Sequence, residues 1–573
     1  MDAKQEYLSW LSRFKDDPAL VKELEAIGGN DKEIEDRFYT ELSFGTAGMR
    51  GVMGYGLNRM NEYNVRRASA GLAEYLKLTP GSAERGVAIG YDSRHHSAEY
   101  AKATALTLCA RGVKAYLFDA LRPVPLLSYA VRHLKCAAGV VITASHNPPE
   151  YNGYKVYGED GAQVDPAAAQ KITGFIRALR YEDCKEMPEK EALASGLLHY
   201  IGNQEVDDDY IQMVLSLAQQ PALIKSEGKR LNIVYTPLHG SGNVPVRRAL
   251  KAAGIDNVTV VKEQEKPDGN FPTVKAPNPE DPNAFTLAIP LAEKVGATVI
   301  FGTDPDCDRL GVCVKDGEGT FHTLTGNQIG CLMLAHILSS RKAAGNLPRN
   351  AAACKSIVST ELARAICDDY GVALYDTLTG FKFIGEKIQQ FEETGEHTFV
   401  FGFEESFGFL SGTAVRDKDG VNASLLIAEA ACACMHEGLT LYDRLQALFQ
   451  KYGYWTEKVK STVLPGKDGL EKMAALMRRL HAEQPEAIGK FRVKAIRDYL
   501  TGERRDAAGT VTPLDTVPSD VLYYELEGGH WLCIRPSGTE PKIKLYCNTR
   551  GKAQEEADRL NAALMQAAEA MAQ

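Results

Sequence analysis

Four short loops gather the side chains that could do chemistry. In TASHNPPEYNGYKVY, residues 143–157, Ser145 emerges from the apolar run GVVIT, with His146 beside it and Lys155 further along. A serine hydroxyl in that position is a nucleophile if a base reaches it. It is equally a turn cap. Adjacent residues on an extended chain also face opposite ways, so adjacency alone does not make Ser145 and His146 a dyad. The Pro-Pro and Asn-Gly pairs give this loop a rigid, sharply turned backbone.

The second loop, GTDPDCDRL (302–310), sets Asp304, Asp306 and Asp308 at alternate positions. Carboxylates so close repel one another unless a cation sits among them, and hard oxygen ligands of this kind suit Mg²⁺ with a phosphate or water. An EF-hand is excluded in detail, because Arg309 stands where its tight-turn glycine belongs and Lys315 where its bidentate glutamate belongs. A solvated acidic turn is the plainer reading. Metal binding is favoured over it because strand-like runs on both sides would half-bury the charges. Arg309, next to the cluster, could hold a phosphate that also touches the metal.

In GFEESFGFL (402–410), Glu404 and Glu405 follow an apolar strand-like run and are costly to bury without partners. Sugar hydroxyls are good partners, and a salt bridge with one glutamate in solvent is the alternative. In RPSGTEPKIKLY (535–546), Arg535, Ser537, Gly538 and Thr539 combine a guanidinium, two hydroxyls and a relaxed backbone. That set makes a phosphate cradle without a nucleotide-binding motif, and a surface hairpin turn is its rival.

The surrounding elements read as α/β. VAIGY, GVVIT, NIVYT, ATVIFG and FVFGF are strand-like runs that alternate with helix-like stretches such as SAEYAKATALTLCARG and LLSYAVRHLK. SIVST (356–360) reads as one more strand-like run. The last part of the chain differs: the helical stretch GLEKMAALMRRLHAEQPE precedes VLYYELEGGHWLCIRP and KIKLYCNTR, read as a strand pair, and a final helix. A chain of 573 residues exceeds one hydrophobic core. The expected domains are 1–205, 206–320, 321–455 and 456–573.

Composition narrows the function. The net charge of −9 argues against nucleic-acid binding but leaves room for an anionic substrate held by a few local cations. No apolar run reaches the length of a membrane span, and the N-terminus lacks the pattern of a secretory signal, so no membrane partner is expected. The 12 cysteines are scattered, with no zinc-like pairs, which favours a reducing cytoplasm. There is no GK[ST] phosphate loop, no GxGxxG opening a helix, no GxSxG elbow and no HExxH, so nucleotide kinases, dinucleotide oxidoreductases and serine hydrolases lose support.

Taken in order, SFGTAGMRG (43–51), TASHNP (143–148), the DxDxDR loop (304–309), TGFKFIG (379–385), GFEESFG (402–408) and RPSGTEPK (535–542) resemble the motifs of the α-D-phosphohexomutase family. The likeness spans the chain and is greatest to the phosphoglucomutase branch, whose Gly-aromatic-Lys pattern matches Gly380, Phe381 and Lys382. Two features depart from it. Cys307 stands where many members have glycine, and the long N-terminus with the TDPDCDR form resembles a subgroup holding phosphopentomutases and glucose-1,6-bisphosphate synthases.

The resemblance implies three related mixed α/β domains and a C-terminal α+β domain around a central cleft, each supplying one loop. It implies that Ser145 carries a phosphoryl group and that Asp304, Asp306 and Asp308, with the phosphoserine oxygen, hold Mg²⁺. Glu404 and Ser406 match its sugar loop, and Arg535, Ser537, Gly538 and Thr539 the loop that grips the phosphate not being transferred. The expected reaction is an isomerase's: glucose 1-phosphate to glucose 6-phosphate, with glucose 1,6-bisphosphate as intermediate and activator. Lys155 and Lys382 are candidate proton acceptors, His146 joins the catalytic set, and Arg50 and Arg309 are candidate phosphate clamps. For Lys155 and Arg50 a structural ion pair is the alternative. Pentose or mannose phosphates are alternative substrates, and a metal-dependent sugar phosphatase is the alternative class. The partners expected are small sugar phosphates, and the oligomeric state stays open between monomer and dimer.

Overall fold

The computed structural model describes residues 2–45, 48–463, 469–536 and 542–572. Its first sheet contains β1 (Met49–Val52), β2 (Val87–Tyr91), β3 (Ala115–Phe118), β4 (Ala138–Ile142), β5 (Tyr151–Gly158) and β6 (Leu198–Ile201), in the spatial order β1-β5-β4-β2-β3-β6. The second holds β7 (Ile233–Thr236), β8 (Val258–Val260), β9 (Val299–Thr303), β10 (Leu310–Lys315) and β11 (Phe321–Thr323), ordered β11-β10-β9-β7-β8. The third holds β12 (Ala351–Ser356), β13 (Ala373–Thr377), β14 (Thr398–Glu404) and β15 (Gly408–Leu410), ordered β13-β12-β14-β15.

One device recurs in all three. Parallel strands, crossed over by helices, give way to an antiparallel return: β4 to β5, β9 to β10 and β14 to β15. The parallel strands are buried on both faces, which is why they read as continuous apolar runs rather than alternating ones. Each return is a short loop, and these loops hold Ser145, the three aspartates and Glu405–Ser406. Each loop also has one non-glycine residue in the left-handed region: Ser145 at φ 51°, Cys307 at φ 49° and Phe407 at φ 66°. Side chains there lean on their surroundings to stay put.

The C-terminal part is an antiparallel sheet in which Tyr454–Val463, Lys542–Gly551, Trp531–Pro536, Leu522–Leu526 and Phe491–Asp498 lie side by side. The helices Gly469–Ala482 and Gln554–Met571 accompany it, and an apolar cluster joins Met477 and Leu480 to Leu532, Leu545 and Leu564. Three mixed α/β sheets and a C-terminal α+β unit are thus the architecture expected from the sequence. Two local readings change. VLYYELEGGHWLCIRP is not one strand: Gly528 and Gly529 take φ of 80° and 79° and fold it into a hairpin. The strand before Ile357 is AAACKS, ending at Ser356, so most of SIVST is a turn. The Ala-rich strand has little intrinsic preference for extended structure and is held between β13 and β14.

Apolar contact ties the parts together. The largest cluster runs from Leu127 through Phe301 and Leu426 to Phe403, crossing the first three sheets. A smaller one joins Ile357, Val358 and Leu378 to Tyr523 and Trp531 of the C-terminal sheet. All 12 cysteines are buried free thiols. Among the described residues no single helix is long and apolar enough to cross a bilayer.

Candidate active site

The loop between β4 and β5 presents Ser145 to the loop between β9 and β10. Ser145 Oγ donates to Asp304 Oδ2 at 2.7 Å and lies 3.2 Å from His146 Nδ1. Its own N–H donates to Thr143 Oγ1 at 2.8 Å, which fixes the turn. Burial, then the nearby cations Arg309 and Arg50, push the His146 imidazole down to about 2, so it is a neutral ring. Lys155, on β5, reaches across to Asp306 Oδ2 at 3.0 Å and is buried with it.

Asp304, Asp306 and Asp308 are all buried, and one carboxylate oxygen from each falls within 4.8 Å of the others. Burial and the charges of its two neighbours push Asp304 well above the usual carboxylate range. Burial acts the same way on Asp306, but Lys155, hydrogen bonding to Asp304 and the charge of Lys418 together outweigh it and hold that carboxyl below its ordinary value. Asp306 Oδ1 and Asp308 Oδ1 are buried with no hydrogen-bond partner among the described residues. Orphaned anionic oxygens facing one another are expensive in a protein interior, and a divalent cation is the partner that removes the cost. The cluster can therefore hold a metal, and its all-oxygen donor set suits a hard one.

The backbone of this loop is braced on two sides. Arg309 N–H donates to Asp304 Oδ1 at 3.0 Å. Ser241 donates through both its N–H and its Oγ to the Pro305 carbonyl, each at 2.8 Å. Cys307 Sγ packs behind the loop against Gly242, beside Tyr235 and Thr303. The left-handed backbone at Cys307 supplies the reason glycine would suit this position.

Above the aspartates opens a cavity of about 820 Å³ whose wall comes from all four parts of the chain. Arg50 and His146 come from the first, Glu280 and Arg309 from the second, Lys382, Glu404 and Ser406 from the third, and Arg535 from the C-terminal sheet. Arg50 Nη1 donates to Asn147 Oδ1 at 3.2 Å, and Arg309 is ion-paired to Glu280. Lys382 lies over the Phe383 ring at 4.9 Å, and burial lowers its ammonium below the ordinary value. Glu404 accepts from Gly380 N–H at 2.6 Å; burial and the adjacent Glu405 raise its carboxyl to about 7. Glu405 turns aside to Ser356 Oγ at 2.8 Å. Ser537, Gly538 and Thr539 lie outside the described residues.

Several functional side chains escaped the sequence reading. Lys418 Nζ bridges Asp308 Oδ2 and Asp417 Oδ1, each at 3.0 Å, and lines the cavity. Burial opposes its charge, but Asp308 and Asp417 raise the ammonium well above its ordinary value. Tyr157 OH donates to Asp417 Oδ2 at 2.9 Å. Lys544 and Tyr546 face the cavity beside Arg535. The charged run RDKDG (416–420), just before an apolar helix, was the available signal for Lys418.

Four domain descriptions of phosphoglucomutase/phosphomannomutase match in order: alpha/beta/alpha domain I over 41–182, domain II over 208–317, domain III over 325–452 and the C-terminal domain over 477–567. The phosphoglucomutase of Staphylococcus epidermidis (strain RP62A) is 38% identical over 532 residues, covering 92% of this chain and 94% of the relative. That of Staphylococcus aureus (strain USA300) is 36% identical over 542 residues, covering 94% and 95%. Among solved structures, a putative phosphomannomutase from Thermus thermophilus superimposes with a TM-score of 0.68 at 22% identity, covering 93% of this chain and 99% of that one. The open form of a Paramecium phosphoglucomutase, parafusin, gives 0.67 at 17% identity, covering 93% and 95%. These two likenesses speak for the fold alone.

Proposed function

We infer the reaction from one premise: the chain belongs to the phosphoglucomutase/phosphomannomutase family. It is an isomerase of the mutase type. The reaction proposed is the interconversion of glucose 1-phosphate and glucose 6-phosphate through a phosphorylated Ser145. The observation that carries this reading is the 2.7 Å hydrogen bond from Ser145 Oγ to Asp304, which sets a nucleophilic oxygen against a carboxylate cluster with orphaned oxygens.

In the proposed cycle, the phosphoryl group on Ser145 passes to the 6-hydroxyl of glucose 1-phosphate. The P–Oγ bond breaks and the new P–O bond makes glucose 1,6-bisphosphate. After the sugar turns over, Ser145 Oγ takes the 1-phosphoryl group back, releasing glucose 6-phosphate. The hydroxyl proton lost in the first transfer is balanced by one gained at O1 in the second. Mg²⁺ held by Asp304, Asp306 and Asp308 would neutralise phosphoryl oxygens as a Lewis acid. Phosphoryl transfer asks the protein mainly for positioning and charge.

Roles for the other residues follow from their surroundings. Lys155 Nζ donates to Asp306 in the same cluster whose Asp304 accepts from Ser145 Oγ, and this closeness supports it as the group that exchanges a proton at the transfer point. Neutral His146 can accept from or donate to Ser145 Oγ. Lys382, which lines the cavity and whose ammonium burial lowers, is the other proposed proton acceptor. Glu404 and Ser406 would take sugar hydroxyls, and Arg50, Arg309 and Arg535 would hold phosphate, with Ser537, Gly538 and Thr539 completing the last grip. The domain limits near 205, 320 and 455 belong to the same proposal. So does a cytoplasmic location, supported by 12 unpaired thiols.

The test is magnesium-dependent conversion of glucose 1-phosphate with a trace of glucose 1,6-bisphosphate, with mannose 1-phosphate and ribose 1-phosphate in parallel. Faster pentose turnover would keep the relay and change the substrate. Release of inorganic phosphate in place of an isomer would mark a phosphatase.

A further inference from the structure

Arg94 does not itself line the cavity, yet it holds the loop that carries Ser145. It follows β2 in the run YDSR and is 3% exposed. Its guanidinium donates to four main-chain carbonyls of that loop. Nη1 reaches Pro148 O at 2.8 Å and Tyr151 O at 3.0 Å, while Nη2 reaches Ser145 O at 2.5 Å and also Asn147 O. Within the loop itself only weak local turns are available, from Asn147 N to Ala144 O and from Tyr151 N to Pro148 O, because Pro148 and Pro149 have no N–H to give. Without Arg94 the buried Ser145 carbonyl and the half-buried carbonyls of Asn147 and Tyr151 would lose the donor it supplies, and Pro148 O would keep only its turn bond.

The guanidinium is itself fixed from two sides. Asp92, fully buried, faces Arg94 Nε at 3.4 Å and also accepts from Arg94 N at 2.9 Å, Ser97 Oγ at 2.8 Å and Thr143 Oγ1 at 2.6 Å. The same Thr143 oxygen lies 3.1 Å from Asp306 Oδ2, so this network is continuous with the three-aspartate loop. From the second sheet's side, the buried ring of Phe271 lies under the guanidinium at 5.0 Å. Phe271 takes a φ of 45° to do so, and His95 Nε2 pairs with Asn270 Oδ1 at 2.9 Å alongside.

We propose that Arg94 is a positioning residue for the reaction: it sets the left-handed Ser145 backbone and so aims Oγ at the aspartate cluster. This rests on the reading of Ser145 as phosphoryl carrier. A planar fork can serve four carbonyls through its two Nη groups while its charge stays beside a carboxylate, whereas a lysine ammonium has three donors at one point. Arg94→Lys therefore keeps the charge opposite Asp92 and loses the loop geometry.

The experiment compares wild type, Arg94→Lys and Phe271→Leu as full chains, with magnesium. It reads thermal unfolding, KM and kcat for glucose 1-phosphate, and the rate at which glucose 1,6-bisphosphate phosphorylates Ser145 by intact mass. The expected result for Arg94→Lys is a folded protein with KM within about threefold of wild type. Its kcat and Ser145 phosphorylation rate should fall together by about 100-fold, the scale of a 1 Å misplacement. Phe271→Leu should show the same split more weakly. In Arg94→Ala, guanidinium ion below denaturing concentration should restore part of kcat. A folded Arg94→Lys with wild-type kcat overturns the proposal, as does a loss shared equally by KM and kcat. If Arg94→Lys does not fold, Phe271→Leu decides on the same readings. Absence of Ser145 phosphorylation in the wild type would instead sink the underlying relay.

Discussion

Arg309 and Gly408 pair as an isolated antiparallel bridge, so the loop of the three aspartates and the loop of Glu404 are joined backbone to backbone. Leu310 N–H donates to Phe407 O at 3.1 Å, and Gly420 N–H donates to Cys307 O at 3.1 Å. Glycine is required at 408 because a Cβ there would run into the Lys418 side chain as it crosses to Asp308. Two sheets thereby share one rigid seam, with Lys418 threaded through it. The three-aspartate loop and the Glu404 loop are held against each other.

Lys418 should accordingly be a structural as well as an electrostatic centre. Lys418→Met removes the cation between Asp308 and Asp417 and leaves two buried carboxylates short of a partner. Breaking a buried pair in this way costs about 3–5 kcal/mol. Denaturant unfolding followed at the seam should shift to lower concentration, and magnesium activation should change with it. A variant as stable as wild type would refute this assignment.

The metal site makes its own prediction. Asp306→Asn keeps the shape of the loop but removes a charge that Lys155 and the cluster depend on. Activity titrated with magnesium should need at least about 10-fold more metal, and chelation of wild type should abolish turnover reversibly. Full activity after chelation would contradict the assignment of the cluster.

Glu404 predicts a pH dependence. Its carboxyl is raised to about 7 in the folded chain, by burial and then by Glu405. The folded state thus keeps a proton that the unfolded chain releases at the ordinary carboxylate value. Glu404's contribution to stability is fully present below that value and is lost as pH rises toward about 7. Sugar hydroxyls need the ionised acceptor, so KM should fall as pH rises through about 7. Glu404→Gln should raise KM and flatten this profile, which also separates the effect from ionisation of the substrate phosphate.

Gly242 is the support behind the aspartate loop. A Cβ there would fall 2.6 Å from Tyr235 OH, 2.7 Å from Cys307 Sγ and 2.8 Å from Thr303 Oγ1, all buried. Gly242→Ala should destabilise by about 1–3 kcal/mol through overpacking and weaken magnesium activation, because Cys307 must shift. Cys307→Gly relieves the φ of 49° and should leave kcat within about twofold. Thermal unfolding and magnesium titration of both variants check this.

Much of the site was legible in the sequence because its reactive residues sit in short runs with telling spacing. Asp304, Asp306 and Asp308 stood out by their spacing between two strand-like runs, and GVVIT marked where Ser145 emerges. The rest depends on tertiary approach. Lys418 meets Asp308, Arg94 meets the Ser145 loop and Phe271 meets Arg94 across long stretches of chain, and no local pattern encodes such distances. The same holds for the strand AAACKS, whose fully buried Lys355 is tolerated only because Glu361 and Asp376 lie at 2.9 and 3.0 Å. Burial of a lysine cannot be read from its own strand.

The most direct test of the central claim is a rapid-quench experiment with glucose 1,6-bisphosphate carrying labelled phosphate, followed by peptide mapping. The account predicts label on the peptide containing Ser145, appearing and leaving at least as fast as turnover, and neither label nor turnover in Ser145→Ala. Turnover surviving in Ser145→Ala, or label confined to another residue, would contradict it.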